Sequence, residues 1–529
     1  MEIPMGFDTG EINNMRYVLG IDQSTQGTKA ILVDEVGRIA GRADVPHAQI
    51  VNDAGWVSHD LNEIYANVLR ASADVIAQTG IDPAQIACTG ISNQRETTAM
   101  WGADGEPLAH AVVWQCARAA SIAEGLAEHA DLIRERTGLE LSPYFPAAKM
   151  AWLLRNVPAV QAAEETSDAE AGSAPAENGG AALRVMLGTI DSWLIWKLTG
   201  GVSFKTDYSN ASRTQLFDIH RLCWDEEICA LFGVPVSCLP EVCMSDADFG
   251  RTDLEGLLPA PVPIHGVMGD SHAALYGQGC HRPGMTKTTY GTGSSIMMNI
   301  GPEFAASAHG LVTSLAWGRS GRAEYVFEGN INYTGAVIAW LKNDVKLIES
   351  AAETADAAAA ANPADRAVLV PAFSGLNAPY WDNNARAALV GMSRTTGRNE
   401  IIRAGVESIA LQIDAVLRAM QADLETSADG MRITELRVDG GPTKNPYLMQ
   451  FQSDISDVTV AVSAVEELSA IGSAYMAGIA AGLLDEERLF AAAERVIYQP
   501  RMNAEARTAK IADWDEAVRM VRGPPARGR

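Results

Sequence analysis

YVLGIDQSTQGTKAILVD, residues Tyr17–Asp34, divides into an apolar run, a polar turn and a second apolar run. Tyr17–Ile21 is apolar apart from its glycine, and Asp22 closes it. Asp22–Lys29 holds one glycine, Gly27, and five hydroxyl or amide side chains; Ala30–Val33 is apolar again. The spacing predicts strand, tight turn, strand. A hairpin of this kind presents backbone N–H groups, hydroxyls and one carboxylate at its tip, which is what a magnesium-bound polyphosphate requires. An ordinary β-hairpin with a polar turn has the same pattern, so the remainder of the chain decides between the two. A Walker loop is excluded, because Gly27-Thr28-Lys29 runs into a strand and not into a helix.

The bulk properties bound the answer. At 529 residues the chain exceeds a single core, and 47% hydrophobic content describes a globular protein of two large domains. A net charge of −25 argues against a nucleic-acid surface and against an anionic membrane. It does not argue against ATP, which backbone amides, Mg2+ and one or two local cations can bind. The seven cysteines (Cys88, Cys116, Cys223, Cys229, Cys238, Cys243 and Cys280) contain no C-x-x-C pair, and a reducing cytoplasm fits them. Residues 1–15 carry no apolar core and read as a disordered leader, and no apolar run reaches transmembrane length.

Outward from the hairpin, Gly37–Val45 reads as a third strand, Asp60–Gln78 as a helix, and Ile86–Ile91 as a buried strand running into Asn93-Gln94-Arg95-Glu96-Thr97-Thr98. Ala111–Gln115 is a short strand with Trp114 near its end, Lys149–Asn156 is helical, and Leu187–Leu198 is amphipathic. The segment 161–182 is mostly Ala, Glu, Gly and Ser and reads as a disordered insertion. Ile264–Asp270 repeats the opening theme, an apolar strand ending in Gly-Asp. Thr288–Asn299 (TTYGTGSSIMMN) forms a second glycine-hydroxyl turn. The recurrence suggests two similar domains facing one cleft. Farther on, Glu400–Leu424 is a long helix and Glu435–Asp439 a strand entering Gly440-Gly441. Leu468–Leu484 is an Ala-rich helix whose Gly472 and Gly478 suit close packing. The domains expected are 16–262 and 263–516, with a tail at 517–529 whose end, Gly523–Arg529, reads as unstructured.

At Asn93–Thr98, Asp270 and Gly440-Gly441 the chain resembles the FGGY family of carbohydrate kinases, and within it the glycerol kinases. The likeness runs from about Tyr17 to about Glu516, through blocks such as GIDQSTQGTKA, GWVSHD, ISNQRETT, VVWQCAR, GTIDSWLIWKLTG, TDYSNASRT, YGTGS and RVDGG. Tyr144–Asn156 fits the first family signature throughout. Ala387–Glu407 fits the second except at Gly405, where a side chain is usual. The fold implied is α/β: two actin-like ATPase (ribonuclease H-like) domains with ATP in an interdomain cleft.

The resemblance also implies roles. Asp270 is the general base, taking the proton of a terminal hydroxyl as the γ-phosphoryl of ATP transfers; without the family it reads as the N-cap of the helix Ser271–Gln278. Asp22 organises Mg2+ through water. Gln23, Ser24, Thr25 and Lys29 face the phosphates, Gly291, Thr292 and Gly293 form the second phosphate turn, and Gly335 is a further nucleotide contact. Gly440, Gly441 and Asn445 wall the adenosine. Each glycine also reads simply as a turn needing positive φ. Arg95, Glu96 and Tyr144 match the acceptor-contacting set, with Trp114 as the apolar wall behind the carbon chain.

Two positions depart from the glycerol kinase pattern. Ser271 stands where Gln follows the catalytic Asp, and Ser295 where a Phe covers the glycerol. Both shorten a side chain, which implies a roomier, more polar pocket suited to a polyol or ketose of four or five carbons. A ketopentose kinase of the xylulokinase type is therefore the alternative acceptor reading. An actin-like ATPase without a sugar substrate is the competing class, and it has no reason to keep Arg95, Glu96, Tyr144 and Asp270 together. Asp248-Phe249-Gly250 spells the protein-kinase DFG, but no H-R-D loop accompanies it. The family often forms homodimers or homotetramers.

Overall fold

Residues 15–162, 184–427, 432–491 and 493–522 are described by a computed structural model. The expected leader, apart from Met15, lies outside the described residues, as do 163–182 of the expected insertion and 523–529 of the expected tail.

The opening hairpin forms as its alternation dictates. Strand β1 (Tyr17–Gln23) pairs antiparallel with β2 (Gly27–Asp34) from Tyr17 opposite Asp34 to Gln23 opposite Thr28. Strand β3 (Ile39–Pro46) continues the meander beside β2. On the other side of β1 lies β4 (Ile86–Asn93), parallel to it, and then β5 (Val262–Gly269), parallel to β4. Period-two alternation loads both faces of this sheet. Leu19, Ile21 and Leu32 pack with Ile64 and Val68 of helix α1 (Leu61–Thr79), whose N-cap Asp60 accepts from the Asn62 N–H. Val18, Ile31 and Val33 pack with Ala470, Ala474 and Ala477, which come from far along the chain.

The chain divides into one unit comprising 1–277, 314–324 and 467–492, and a second comprising 278–313, 325–466 and 493–529. The expected division after residue 262 therefore moves to 277. The cause is β5, which adds to the first sheet with Ile264 opposite Thr89 and Gly269 opposite Asn93, a long-range pairing that local pattern does not reveal. Asp270 opens helix α2 (Asp270–Gly277) and belongs to the first unit, not to the C-terminal one.

Helix α3 (Leu468–Ala480) lies against β1, β4, β5 and α2. The approach is so close that a Cβ on Gly472 would sit 1.8 Å from the Ala273 carbonyl oxygen, and one on Gly90 of β4 would sit 2.3 Å from that of Ser473. A second sheet in this unit contains Val57–His59, Ala111–Val112, Thr98–Gly102 and Val185–Thr189. Residues 93–98 are the crossing from the first sheet to the second. The expected amphipathic element at 187–198 is a strand end followed by the helix Ile190–Leu198, buried on most of its surface.

The second unit repeats the pattern. Strands β6 (Thr286–Tyr290), β7 (Ser294–Gly301) and β8 (Arg322–Ile331) pair antiparallel in that order, the strand Val312–Arg319 coming between β7 and β8 in the chain and lying outside β8 in the sheet. Strands β9 (Glu435–Asp439) and β10 (Thr459–Ser463) add in parallel beside β6. The order β8-β7-β6-β9-β10 reproduces β3-β2-β1-β4-β5. The internal repeat thus exists at the level of sheets. Asp22 and Asp270, though, are not its two halves, since both close strands of the first sheet. The helix Arg398–Ser427 buries Ile402, Val406, Ile409, Ile413, Val416 and Met420 in the core of this unit. Its Gly405, the departure from the second signature, faces Leu341 of the helix Gly335–Asn343, where a Cβ would come within 2.9 Å of Cδ1. The expected tail at 517–529 begins too early: the helix Ala504–Val521 reaches into it as far as Val521, anchored by buried Trp514, Ala517 and Val518. No helix among the described residues is long and apolar enough to cross a membrane.

Candidate active site

In the first unit, the C-terminal ends of β1, β4 and β5 lie side by side, so that Asp22 is level with Ser92 and Ser92 with Met268. Asp22 is buried and accepts a hydrogen bond from the Ser92 hydroxyl at 2.8 Å. Burial pushes its carboxyl up to about 6; Lys29 and Ser92 oppose the shift, and Asp270 and Glu467 add to it. A carboxylate confined against its own desolvation, beside a second one, is suited to a hydrated divalent cation. Among the described residues no cluster of three or more His, Cys, Asp or Glu offers a cage.

The turn after Asp22 is stiffened from within. Ser24 Oγ donates to the Gly27 carbonyl at 3.0 Å, and Gln23 Nε2 to that of Ser24 at 2.8 Å. Lys29 reaches Glu467 at 2.8 Å, and Arg42 joins the same carboxylate at 2.6 Å. Lys29 is thus held at Glu467, one residue before α3, and needs to turn from that carboxylate to meet a phosphate.

Asp270 stands at the exposed end of β5, its side chain 35% accessible and its Oδ1 3.3 Å from Arg95 Nε. The same oxygen accepts the Ser271 N–H at 2.6 Å, as expected of an Asp at a helix start. Arg95 and Glu96 lie in the crossing between the two sheets. Glu96 takes a φ of 61°, a left-handed conformation costly for a residue with a Cβ. Arg213 holds it there, its Nε 2.6 Å from Glu96 Oε1, with both side chains 2% exposed. Tyr144 and Trp114 are half-buried, their rings edge to face with centroids 5.6 Å apart. Under them the buried Lys149 ammonium donates to the Trp114 carbonyl at 3.1 Å and to the Tyr144 carbonyl. Burial lowers Lys149 to about 7, against the pull of Glu96.

Sequence reasoning missed the residues that hold these groups: Arg213, Ser92, Lys149 and the segment 207–210. Ser209 Oγ accepts the Gly269 N–H at 2.9 Å and donates to Asp207 at 3.0 Å, fixing the backbone just before Asp270. Asn210 and Asn93 exchange amide hydrogen bonds at 2.9 and 3.0 Å. For Arg213 and 207–210 the available signal was the block TDYSNASRT, which contains them all.

In the second unit, Gly291, Thr292, Gly293 and Gly335 are brought together. The Gly291 N–H donates to Gly293 at 2.8 Å, the Gly335 N–H to Gly291 at 3.0 Å, and the Thr334 N–H to Thr292 at 2.9 Å. Gly335 opens the helix Gly335–Asn343, whose first N–H groups donate to the Gly291, Thr292 and Thr334 carbonyls and so tie the helix start to the glycine turn. Gly440, at φ 101°, lies against the end of β6, where a Cβ would sit 2.0 Å from the Tyr290 carbonyl oxygen. Gly441 faces open space. Asn445 caps the helix Pro446–Ser456 through the Leu448 N–H at 3.0 Å and bonds Thr354 Oγ1 at 2.9 Å. Ser295 lies on β7 and donates to buried Glu328 at 3.2 Å.

Residues 17–277 match the model of the FGGY family of carbohydrate kinases, N-terminal domain, and 286–481 that of the C-terminal domain. A glycerol kinase of Symbiobacterium thermophilum is 45% identical over 516 residues, 96% of this chain and 99% of that protein. Glycerol kinase 2 of Thermotoga maritima is 42% identical over 509 residues, covering 95% and 98%. Among solved structures, the Plasmodium falciparum glycerol kinase with ADP superimposes with a TM-score of 0.85 at 32% identity, covering 96% and 98%. A xylulose kinase of Lactobacillus acidophilus shares the fold, with a TM-score of 0.80 at 20% identity, covering 96% and 99%. Two matched family domains, relatives of this identity along nearly the whole chain and a repeated sheet order converge: the chain belongs to the FGGY family of carbohydrate kinases, ATP-dependent phosphotransferases with an alcohol group as acceptor.

Proposed function

We propose that the protein transfers the γ-phosphoryl group of ATP to a terminal hydroxyl of a small polyol, in the manner of a glycerol kinase. The observation that carries this is the grouping in one unit of Asp270, Arg95, Glu96, Trp114 and Tyr144, with Arg95 oriented against Asp270 at 3.3 Å and Glu96 fixed by Arg213 at 2.6 Å. Asp270 accepts the hydroxyl proton as the oxygen attacks phosphorus. Arg95 donates to the acceptor's hydroxyls and Glu96 accepts from them. Trp114 and Tyr144 give the C–H groups a flat surface. A site built to pair hydroxyls rejects analogues that lack them, because its buried polar groups are then left unpaired.

Gln23, Ser24, Thr25 and Lys29 would face the β- and γ-phosphates, with Gly291, Thr292 and Gly293 forming the second phosphate turn and Gly335 a further nucleotide contact. Gly440, Gly441 and Asn445 would wall the adenosine, the open face at Gly441 leaving room for a base. Asp22 would hold Mg2+ through water; when bound, the cation offsets the charge of the transferring phosphoryl group. A cytoplasmic location suits ATP use and the seven free cysteines. A homodimer or homotetramer, suggested by the family, is read by light scattering.

Ser271 and Ser295 leave the acceptor larger than glycerol as a second reading, since the Ser295 hydroxyl, bonded to Glu328, puts polar surface where the pattern has a phenyl ring. Steady-state kinetics with glycerol, erythritol, xylitol, ribitol and xylulose separate the two. A four- or five-carbon acceptor is expected to match or exceed glycerol in kcat/KM. Glycerol far above all others removes the roomier-pocket reading, and ATP turnover that no polyol stimulates removes the kinase reading. The Asp270→Asn variant is the control and should lose turnover.

A further inference from the structure

Trp114 does more than present a ring. Its indole N–H donates to Thr25 Oγ1 at 3.0 Å. An indole is a donor with no acceptor atom, so in this bond the threonine hydroxyl must accept. Its own proton is therefore directed elsewhere, and a hydroxyl that already accepts is a stronger donor along the same chain of hydrogen bonds. The geometry is held by the backbone on both sides of Trp114. The Trp114 N–H donates to Thr97 Oγ1 at 3.2 Å, and its carbonyl takes the Lys149 ammonium at 3.1 Å.

A second route joins the same two elements. Thr97 Oγ1 donates to Gln94 Oε1 at 2.7 Å, and Gln94 Nε2 donates to Gln23 Oε1 at 3.1 Å and to the Ser24 carbonyl at 3.2 Å. The Gln94 N–H donates to the Gln23 carbonyl at 2.7 Å. On the far side, His47 Nε2 lies 3.1 Å from the Thr25 carbonyl oxygen. The turn that follows Asp22 is therefore fastened to the acceptor wall by two separate paths, and Thr25 is aimed by Trp114.

We propose that Trp114 is a positioning residue for the nucleotide: by engaging one of the two acceptor lone pairs of Thr25, it orients that hydroxyl so that its proton is donated to the phosphates. This rests on the reading of Thr25 as a phosphate contact. It separates Trp114 from a residue that touches the polyol alone.

The test is nucleotide binding with no acceptor present. Trp114→Phe keeps an aromatic wall and removes the N–H. Calorimetry with Mg-AMP-PNP should show affinity weakened roughly fivefold to tenfold, the size of one lost hydrogen bond, while adenosine binds as in the wild type. In a Thr25→Val background the same change should add nothing. Unchanged AMP-PNP affinity, equal losses for adenosine, or additive losses in the double variant overturn the proposal. A measurement on the unmutated enzyme covers poor folding of the variant: the Trp114 indole N–H resonance should shift on adding AMP-PNP, and an unmoved resonance has the same overturning force. The polyol-kinase reading fails by a different result, namely wild-type enzyme that binds nucleotide and phosphorylates no polyol.

Discussion

Replacing Asp22 by Asn separates the cost of this carboxylate from its use. In the folded chain the group titrates at about 6 instead of 3.8, chiefly because burial disfavours its charge. A raised carboxyl pKa means the folded state binds the proton more tightly than the unfolded state. Stability from this group is complete below the unfolded value and is lost as pH rises through the folded one. The shift of about two units corresponds to about 3 kcal/mol, of which about 2 develops between roughly pH 4.5 and pH 7.5. The substituted amide keeps an oxygen for the Ser92 hydroxyl, which bonds Asp22 Oδ1 at 2.8 Å, so the variant loses little else. Urea unfolding of apo wild type and Asp22→Asn should show the variant gaining on the wild type across that interval, and holding the gain above about pH 7. The same variant should need about 10- to 100-fold more Mg2+ for half-maximal turnover, the usual effect of losing an outer-sphere partner. A stability difference that does not change with pH, or an unaltered Mg2+ requirement, refutes the reasoning.

Two further outcomes follow from the packing. Arg213→Met leaves Glu96 buried without its partner and should cost about 3–5 kcal/mol, read as a lowered melting temperature, with a weaker KM for the acceptor. Gly472→Ala puts a Cβ 1.8 Å from the Ala273 carbonyl oxygen. It should cost about 3 kcal/mol or more as α3 is pushed from α2, and turnover should fall; Gly482→Ala, strained at φ 68° but with no atom within 4 Å of its Cβ, should lower stability and leave the Asp270 helix in place.

Local physics made much of this legible in advance. The alternation of Tyr17–Asp34 specified its hairpin. Asp60 announced the start of α1. Gly472 and Gly478 announced a close helix crossing, because only bare backbone permits one. What failed was nonlocal. Nothing in Val262–Gly269 says that its partner is β4, so Asp270 reads as part of the other unit and as the repeat of Asp22. Arg213 and Glu96 lie 117 residues apart in sequence, and no periodicity connects a buried arginine to the carboxylate it holds. The end of the chain failed differently: Trp514, Ala517 and Val518 are sparse on the helix Ala504–Val521, and so thin an apolar stripe is easily read as the start of a tail.

Helix α3 has a consequence for how the protein comes into being. It supplies the floor under β1, β4, β5 and the Asp270 helix, yet it is made of residues 468–480. A nascent chain leaving the ribosome has the whole opening sheet outside the tunnel long before that floor exists. Until then Val18, Ile31 and Val33 have no cover on one face, and the glycines of β1 and β4 offer bare backbone to solvent or to a chaperone. The first domain to be synthesised is thus unable to finish folding first, and a fragment ending at Gly277 would lack a layer of its own core.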